Sequence, residues 1–302
     1  MLNPMFDVVG VGANSVDDVY RLPEFPRPDS PAAKLRIAHH AIACGGQTAT
    51  TMCTCTAMGL RSRYVGATGN DDNGRLIRDE LRRRGVDTAY VAVRDARNAF
   101  AVFLLDETLG ERVVLWDRSP QLDLTPAEID PAVIRDARLL HVDDVDVEAS
   151  IRAALVAREA GVPVTSDIEQ VGDRTEALIA AVTVPIFAEH VLEPLTGEAD
   201  PERALRRLRQ RHAGMLCVTL GARGAMLLDG DRLYVEPACE VAVSDTTGAG
   251  DVFRGAFIAA LLRGDLPAGI LKFANAAAAV GCTRLGAIDG APTRGEIEAI
   301  LG

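Results

Sequence analysis

The chain is short of rings, of lysine and of organised cysteine. Aromatic residues are 4% of its 302 positions, with one Trp, and Lys34 and Lys272 are the only lysines. A core without rings must be filled by Ala, Val, Leu and Gly, and the 48% hydrophobic content is enough for that. Such filling suits helices packed closely on a sheet and argues against an aromatic-rich β-sandwich. Acidic residues outnumber basic ones: the formal net charge is −11, which argues against nucleic acid and membrane surfaces as partners, because both are anionic. The preference for Arg over Lys reads as coding bias. Cys44, Cys53, Cys55, Cys217, Cys239 and Cys282 form no CxxC pair and no dense framework, so reduced thiols and a cytoplasmic location are expected. Cys53 and Cys55 fall in a small-residue helical run, where packing is their expected role.

Other absences remove whole function classes. No window approaches about 18 consecutive apolar residues, and the N-terminus enters FDVVGVGA without a basic leader, so neither a membrane span nor a signal peptide is expected. No GxxxxGK string followed by Ser or Thr occurs, which removes a Walker-type NTPase. GVGANS at Gly10–Ser15 nearly spells a dinucleotide fingerprint. Its third glycine is Ser15, however, and the following VDDVYRLPEFPRP carries three prolines where the motif needs a helix. His39, His40, His141, His190 and His212 have no metal-ligand spacing, so structural or solvent-facing roles are expected.

What the chain does have is alternation. Strands are expected at Asp7–Gly12, Arg63–Gly66, Leu139–Val142, Pro163–Ser166, Val184–Phe187, Met215–Leu220 and Ala225–Asp229. Helices are expected at Gln47–Met58, Asn73–Arg84, Glu148–Ala160, Asp173–Ala181, Pro201–His212, Gly250–Arg263 and Ala268–Arg284. This pattern predicts a single α/β domain over residues 1–302, with a mostly parallel sheet and helices on both faces. Ligands of such sheets sit at the carboxyl ends of the strands. One segment departs from the pattern: NAFAVFLLDETLGERVVLWD reads as a β-hairpin around Glu107–Gly110. With the Pro-rich stretch Leu22–Arg36 it is expected to build a small β lid, from about residues 14–40 and 97–118. The other reading is an edge hairpin of the main sheet.

The most informative run is Asp245-Thr-Thr-Gly-Ala-Gly-Asp251, followed by VFRGAFIAALL. Gly248, Ala249 and Gly250 leave the backbone N–H groups accessible, and the helix starting there adds its positive dipole end, so the loop suits a phosphoryl group. Asp251 is then held beside that anion, a cost explained if it accepts a proton from an attacking hydroxyl. An ordinary N-cap needs one Asp, not two framing a Gly-Ala-Gly. Arg254 lies three residues after Asp251 on the same helix face. It either faces the transferred phosphoryl or an acidic substrate group, or forms an ion pair worth little. HVDDVDVE at His141–Glu148 places Asp143 or Asp144 toward substrate, or is a solvated acidic loop.

DTTGAGDVFRG resembles the signature of PfkB-type carbohydrate kinases, the ribokinase family, and the resemblance runs over essentially the whole chain. GANSVDDVY resembles the family's glycine-to-aspartate opening, ACGGQTATT its di-glycine segment, VGATGNDDNG its VGxVGxDxxG turn, VTLGARGAMLL its nucleotide-side strand and loop, and FANAAAAVGCTRLGA the helix over the adenine. The resemblance implies a ribokinase-like α/β fold and a lid that excludes water from ATP. It puts Asp17, Gly45, Gly46 and Gln47 on the sugar, and Thr219, Gly221, Gly224 and Asn275 on the nucleotide. It implies ATP and Mg²⁺, with K⁺ as a candidate monovalent cation near Asp245 and Thr247, and a homodimer formed through the lid. Two departures stand out. The family's Asn-x-x-Glu element, which helps hold Mg²⁺ through water, falls on Ala188 and Val191, leaving Asp167 as a candidate substitute; Gln47 replaces the usual Asn. The ketohexokinase-like and sulfofructose-kinase-like branches are similar here, but the sulfonate-reading arginine has no counterpart in HVDDVDVE.

These readings converge on an ATP-dependent kinase acting on a hydroxymethyl of a small sugar, with Asp251 as base and the Gly248–Asp251 amides on the developing charge. A nucleoside kinase of the same fold, and a catalytically weak sugar or nucleotide sensor, stay open as alternatives.

Overall fold

The computed structural model describes residues 4–29, 33–106, 108 and 112–302. Among these described residues thirteen strands run in chain order as β1 (Phe6–Val11), β2 (Ser15–Leu22), β3 (His39–Gly45), β4 (Ser62–Gly69), β5 (Asp87–Arg94), β6 (Phe100–Asp106), β7 (Arg112–Asp117), β8 (Ala137–Val142), β9 (Val164–Ile168), β10 (Val184–Ala188), β11 (Leu216–Thr219), β12 (Ala225–Asp229) and β13 (Arg232–Glu236). Nine of them form the large sheet, in the order β13-β12-β11-β10-β9-β8-β1-β4-β5. It is parallel from β11 through to β5, with β12 and β13 antiparallel at one edge. Strands β1, β8, β9 and β10 are covered on both faces and read as near-continuous buried runs, as parallel interior strands must.

The other four strands form a separate sheet, β3-β2-β6-β7. The hairpin β6–β7 pairs antiparallel there, from Phe100 opposite Asp117 to Leu105 opposite Arg112. It is therefore not an edge of the main sheet. Its turn lies largely outside the described residues. Among its described residues the Pro-rich stretch adds no strand beyond Leu22, where β2 ends, and β3 begins at His39. Prolines cannot donate to a ladder, so the pairing falls to the residues on either side of them.

Three apolar clusters fasten the helices to the large sheet. One packs Val147–Glu159, Thr175–Ala181 and Pro201–Arg209 on one face; a second packs Ala249–Arg263 and Pro267–Cys282 on the other. The third joins the helix Gln47–Ala57 to β1 and β4. The helix Ala249–Arg263 is enclosed nearly all round, with Asp251 to Ala260 buried. Its own sequence explains this, because a helix without a polar face has none to give to water. Gly255 lets the helix Gln47–Ala57 approach: a Cβ there would lie 2.5 Å from Thr54 Cβ. No helix among the described residues is long and apolar enough to cross a membrane.

Candidate active site

The parallel strands deliver their last residues to one edge. The segment after β1 brings Gly12 to Asn14, the end of β8 Asp143 and Asp144, the end of β9 Asp167 and Glu169, and the end of β11 Thr219. Across this edge runs the loop Asp245–Gly248. Its helix opens at Gly248, whose φ of 75° is left-handed and whose missing Cβ leaves room for Ala287, 2.5 Å from where that atom would stand. No side chain caps this helix. Ala249 N–H is taken by Thr246 O at 3.2 Å, and the N-terminal amides beyond it have no carbonyl to meet within their own helix. Asp245 braces the loop, one carboxylate oxygen accepting from Thr247 N–H and the other from Gly286 N–H, each at 2.9 Å.

Asp251 sits in the first turn, nearly fully buried. Its carboxyl is held well above the usual carboxylate range by burial and then by the charge of Glu169, with Arg254 opposing. Asp167 adjoins it closely enough for a hydrogen bond when one of the two carries a proton. Behind them, Arg254 Nη2 lies 2.5 Å from Asp167 Oδ1 and 3.7 Å from Glu169 Oε1. Both Arg254 and Asp167 are fully buried, and neither has an aligned hydrogen bond among the described residues.

Arg254 is enclosed, with its guanidinium on Asp167, so the structure holds it in an intramolecular ion pair away from the surface. Asp167, offered as a support for Mg²⁺, is fully buried with the guanidinium already on it. Among the described residues no group of three or more His, Cys, Asp or Glu is arranged to hold a metal. With Ala188 and Val191 in place of polar groups, the described residues offer no ready-made cage for Mg²⁺.

The remaining site residues gather around this centre. Asp17 on β2 is buried, accepts from Ser15 Oγ at 2.9 Å and is pushed up to about 6, chiefly by burial. Gly45 gives it space, since a Cβ there would lie 2.7 Å from Asp17 Oδ2. Gly46 and Gln47 open the next helix. Ala287 touches both the Gly45 and Gly248 positions, so the Asp17 slot borders the loop directly. On the other flank, Thr219 ends β11, and Gly221 to Gly224 form the turn into β12. Asn275 donates to Glu236 O and Pro237 O at 2.9 and 3.1 Å; it holds the backbone after β13 in place.

The acidic run after β8 proves to be internal bracing. Asp143 is fully buried and accepts from Ala13 N–H and Thr48 Oγ1 at 2.7 Å and Val145 N–H at 3.1 Å. Asp144 accepts from Glu169 and Gln170 N–H, both at 2.7 Å. Sequence reading missed two neighbours of the site. Glu169 had no motif around it. Trp116 lies in one cross-strand row with Ala101 and Asp17, hence on the same face of the small sheet.

A family model for pfkB family carbohydrate kinases matches residues 7–294. The ATP-dependent ribose-1-phosphate kinase of Halopiger xanaduensis is 30% identical over 298 residues, which is 98% of each chain. A ribokinase candidate from Agrobacterium tumefaciens has a TM-score of 0.91 at 28% identity, covering 98% of this chain and 97% of that one. Arabidopsis thaliana ribokinase, solved with ribose and ATP, has a TM-score of 0.83 at 25% identity over 98% of both. The fold is ribokinase-like. The chain belongs to the pfkB family of carbohydrate kinases.

Proposed function

We propose that the protein transfers the γ-phosphoryl group of ATP to a hydroxymethyl group of a small sugar. The observation that carries this is a buried, proton-seeking carboxyl, Asp251, in the first turn of a helix whose N-terminus no side chain caps. The amides of this turn, Gly248 to Asp251, of which Ala249 N–H is lent to Thr246 O in the structure, suit the oxygens of a phosphoryl group in flight. Asp251 takes the proton of the attacking hydroxyl. Asp17, with Gly45, Gly46 and Gln47, orients the sugar from the neighbouring slot. Thr219, Gly221 and Gly224 line the nucleotide side, and Asn275 acts there through the backbone it holds.

ATP fits the cradle, whereas a metal held by the protein does not. Mg²⁺ therefore enters with the nucleotide, whose phosphates it ordinarily accompanies, and no step here depends on a protein ligand for it. K⁺ near Asp245 and Thr247 belongs to this reading through the family resemblance alone; turnover in potassium against choline salts tests it. The small sheet acts as the lid. Its other face carries Ile42 and Leu115, 55% and 56% exposed, an apolar surface suited to a second copy of the chain and tested by light scattering after Leu115→Glu. The six free cysteines suit a cytoplasmic setting.

The deciding experiment measures ADP release across a panel of pentoses, hexoses, their phosphates and nucleosides, with phosphorus NMR of the product. Sugar-dependent ADP and a new phosphomonoester support the reading. A nucleoside as the only acceptor makes this a nucleoside kinase. Ligand binding by thermal shift with no turnover makes it a sensor.

A further inference from the structure

Arg254 has no role in the chemistry so far, yet it is the largest fully buried side chain among the described residues. A guanidinium taken out of water costs several kcal/mol unless charge repays it, so its surroundings matter. From the end of β9 come Asp167 and Glu169, and from the end of β8 Asp143 and Asp144; Asp251 stands one turn before it on the same helix. Around Asp251, burial and then the charges of Glu169 and Asp143 raise its carboxyl, whereas the positive charge of Arg254 and a hydrogen bond with Asp167 lower it. His141 supplies no second cation: burial and then Arg254 push it down to about 3. The packing helix Gln47–Ala57 offers only neutral groups there, Thr51 Oγ1 reaching Asp251 O at 3.3 Å. Position is fixed as well as charge. Arg254 Nη1 lies 2.5 Å from where a Cβ on Gly250 would be, so the backbone just before Asp251 rests on the guanidinium.

We propose that Arg254, clamped by Asp167 beneath the first turn of the helix, is the built-in counter-cation of Asp251, a positioning residue that eases the ionisation of this carboxyl and aims it while touching no substrate. The inference rests on Asp251 being the base of the proposed transfer. Without Arg254, the five carboxylates of Asp143, Asp144, Asp167, Glu169 and Asp251, the first, third and last of them buried, would meet the incoming phosphates without its positive charge. Asp251 would then hold its proton and could not accept another. Asp167 sets the strength of the effect, since it neutralises part of the charge that Asp251 would otherwise feel.

The two partners should therefore move Asp251 in opposite directions. Aspartate labelled at the carboxyl carbon allows an NMR titration of the full-length protein without substrate, with Asp251→Asn assigning the signal. Arg254→Gln should raise the Asp251 midpoint by about 1–3 pH units, the range for loss of a nearby opposite charge. Asp167→Asn should lower it, and Arg254→Lys should return it most of the way to wild type. In turnover, the acid limb of kcat should move with these midpoints while KM for ATP and sugar stays within about twofold, a split expected of a group that never contacts substrate. Midpoints unmoved in all three variants, or moved in the same direction by Arg254→Gln and Asp167→Asn, overturn the proposal. Should Arg254→Gln fail to fold, the lysine variant and Asp167→Asn still decide it. Should no sugar support ADP release, the kinase reading fails while the titration still decides what Arg254 does.

Discussion

Asp143 and Asp251 lie near each other, both buried at the carboxyl edge of the same sheet, in opposite surroundings. Asp143 accepts three hydrogen bonds, which join the segment after β1, the helix Gln47–Ala57 and its own loop. Asp251 has like charges on several sides, one cation and an uncapped helix end in front of it. Burial raises both carboxyls. The difference lies in satisfaction: a carboxylate whose acceptors are filled by the fold is bracing, and one left seeking a proton is available for chemistry. Charge, burial and place in the sheet do not separate the two; hydrogen-bond partners do.

The largest effect should come from Asp251→Asn. It keeps size and removes basicity, so kcat should fall roughly 10²–10⁴-fold, the range for a lost general base. The melting temperature should hold or rise, because a buried, poorly partnered charge has gone. Near-wild-type turnover in steady-state assays would refute the role given to Asp251.

Asp143→Ala should show the reverse profile. Two backbone N–H groups and the Thr48 hydroxyl lose their acceptor, at about 1–3 kcal/mol for each buried group left unpaired. Urea unfolding should report that loss, while kcat measured well below the melting temperature changes little. A tenfold loss of kcat with unchanged stability would erase the contrast between the two aspartates. Asp143 also carries a pH signature. Its pKa is pushed up to about 6 from an ordinary 3.8, mainly by burial, so the folded state binds its proton more tightly than the unfolded chain does. Its contribution is fully present below about 4 and is lost as pH rises towards about 6. The stability of wild type relative to Asp143→Asn should therefore decline across that window, and a difference that grows instead would mean Asp143 is ionised and content.

The contrast also marks what the sequence could tell. The alternation gave the α/β layers, and the Gly-Ala-Gly flanked by aspartates gave the loop and Asp251, because backbone geometry writes itself into small residues. Strands β5 and β13 were missed: β5 leaves several residues exposed, and β13 is short and at an edge. Arg254 stayed open between two readings for a physical reason. Helical spacing gave its face correctly but not what covers that face, and VFRGAFIAALL, apolar all round, was already the sign that no solvent side existed. The three hydrogen bonds of Asp143 span as many as 130 residues, a distance over which no local pattern speaks. Trp116 was invisible as a site residue because its partner row joins β7 to β2 through β6, a pairing known only from the register.

That row supports the smallest and most specific expectation. Asp17 pairs with Ala101, and Ala101 with Trp116, so the indole stands two strands from the carboxyl, roughly 10 Å along the sheet. Ala101 between them is buried and small, while Trp116 is 74% exposed. Under the proposed function, an exposed ring on the face that carries Asp17 is placed to cover a ligand as the small sheet settles. Because this is the chain's one Trp, its fluorescence reports that event without a label. Titration with the sugar that supports turnover should shift the emission, and Asp17→Asn should move the shift to higher sugar concentration. Trp116→Ala should raise the sugar KM about 2–10-fold, in line with roughly 0.5–1.5 kcal/mol for an aromatic contact, and should leave the KM for ATP alone. Emission indifferent to saturating sugar, with KM unchanged in the alanine variant, would make the small sheet a bystander and leave Asp17 to hold the sugar from one side only.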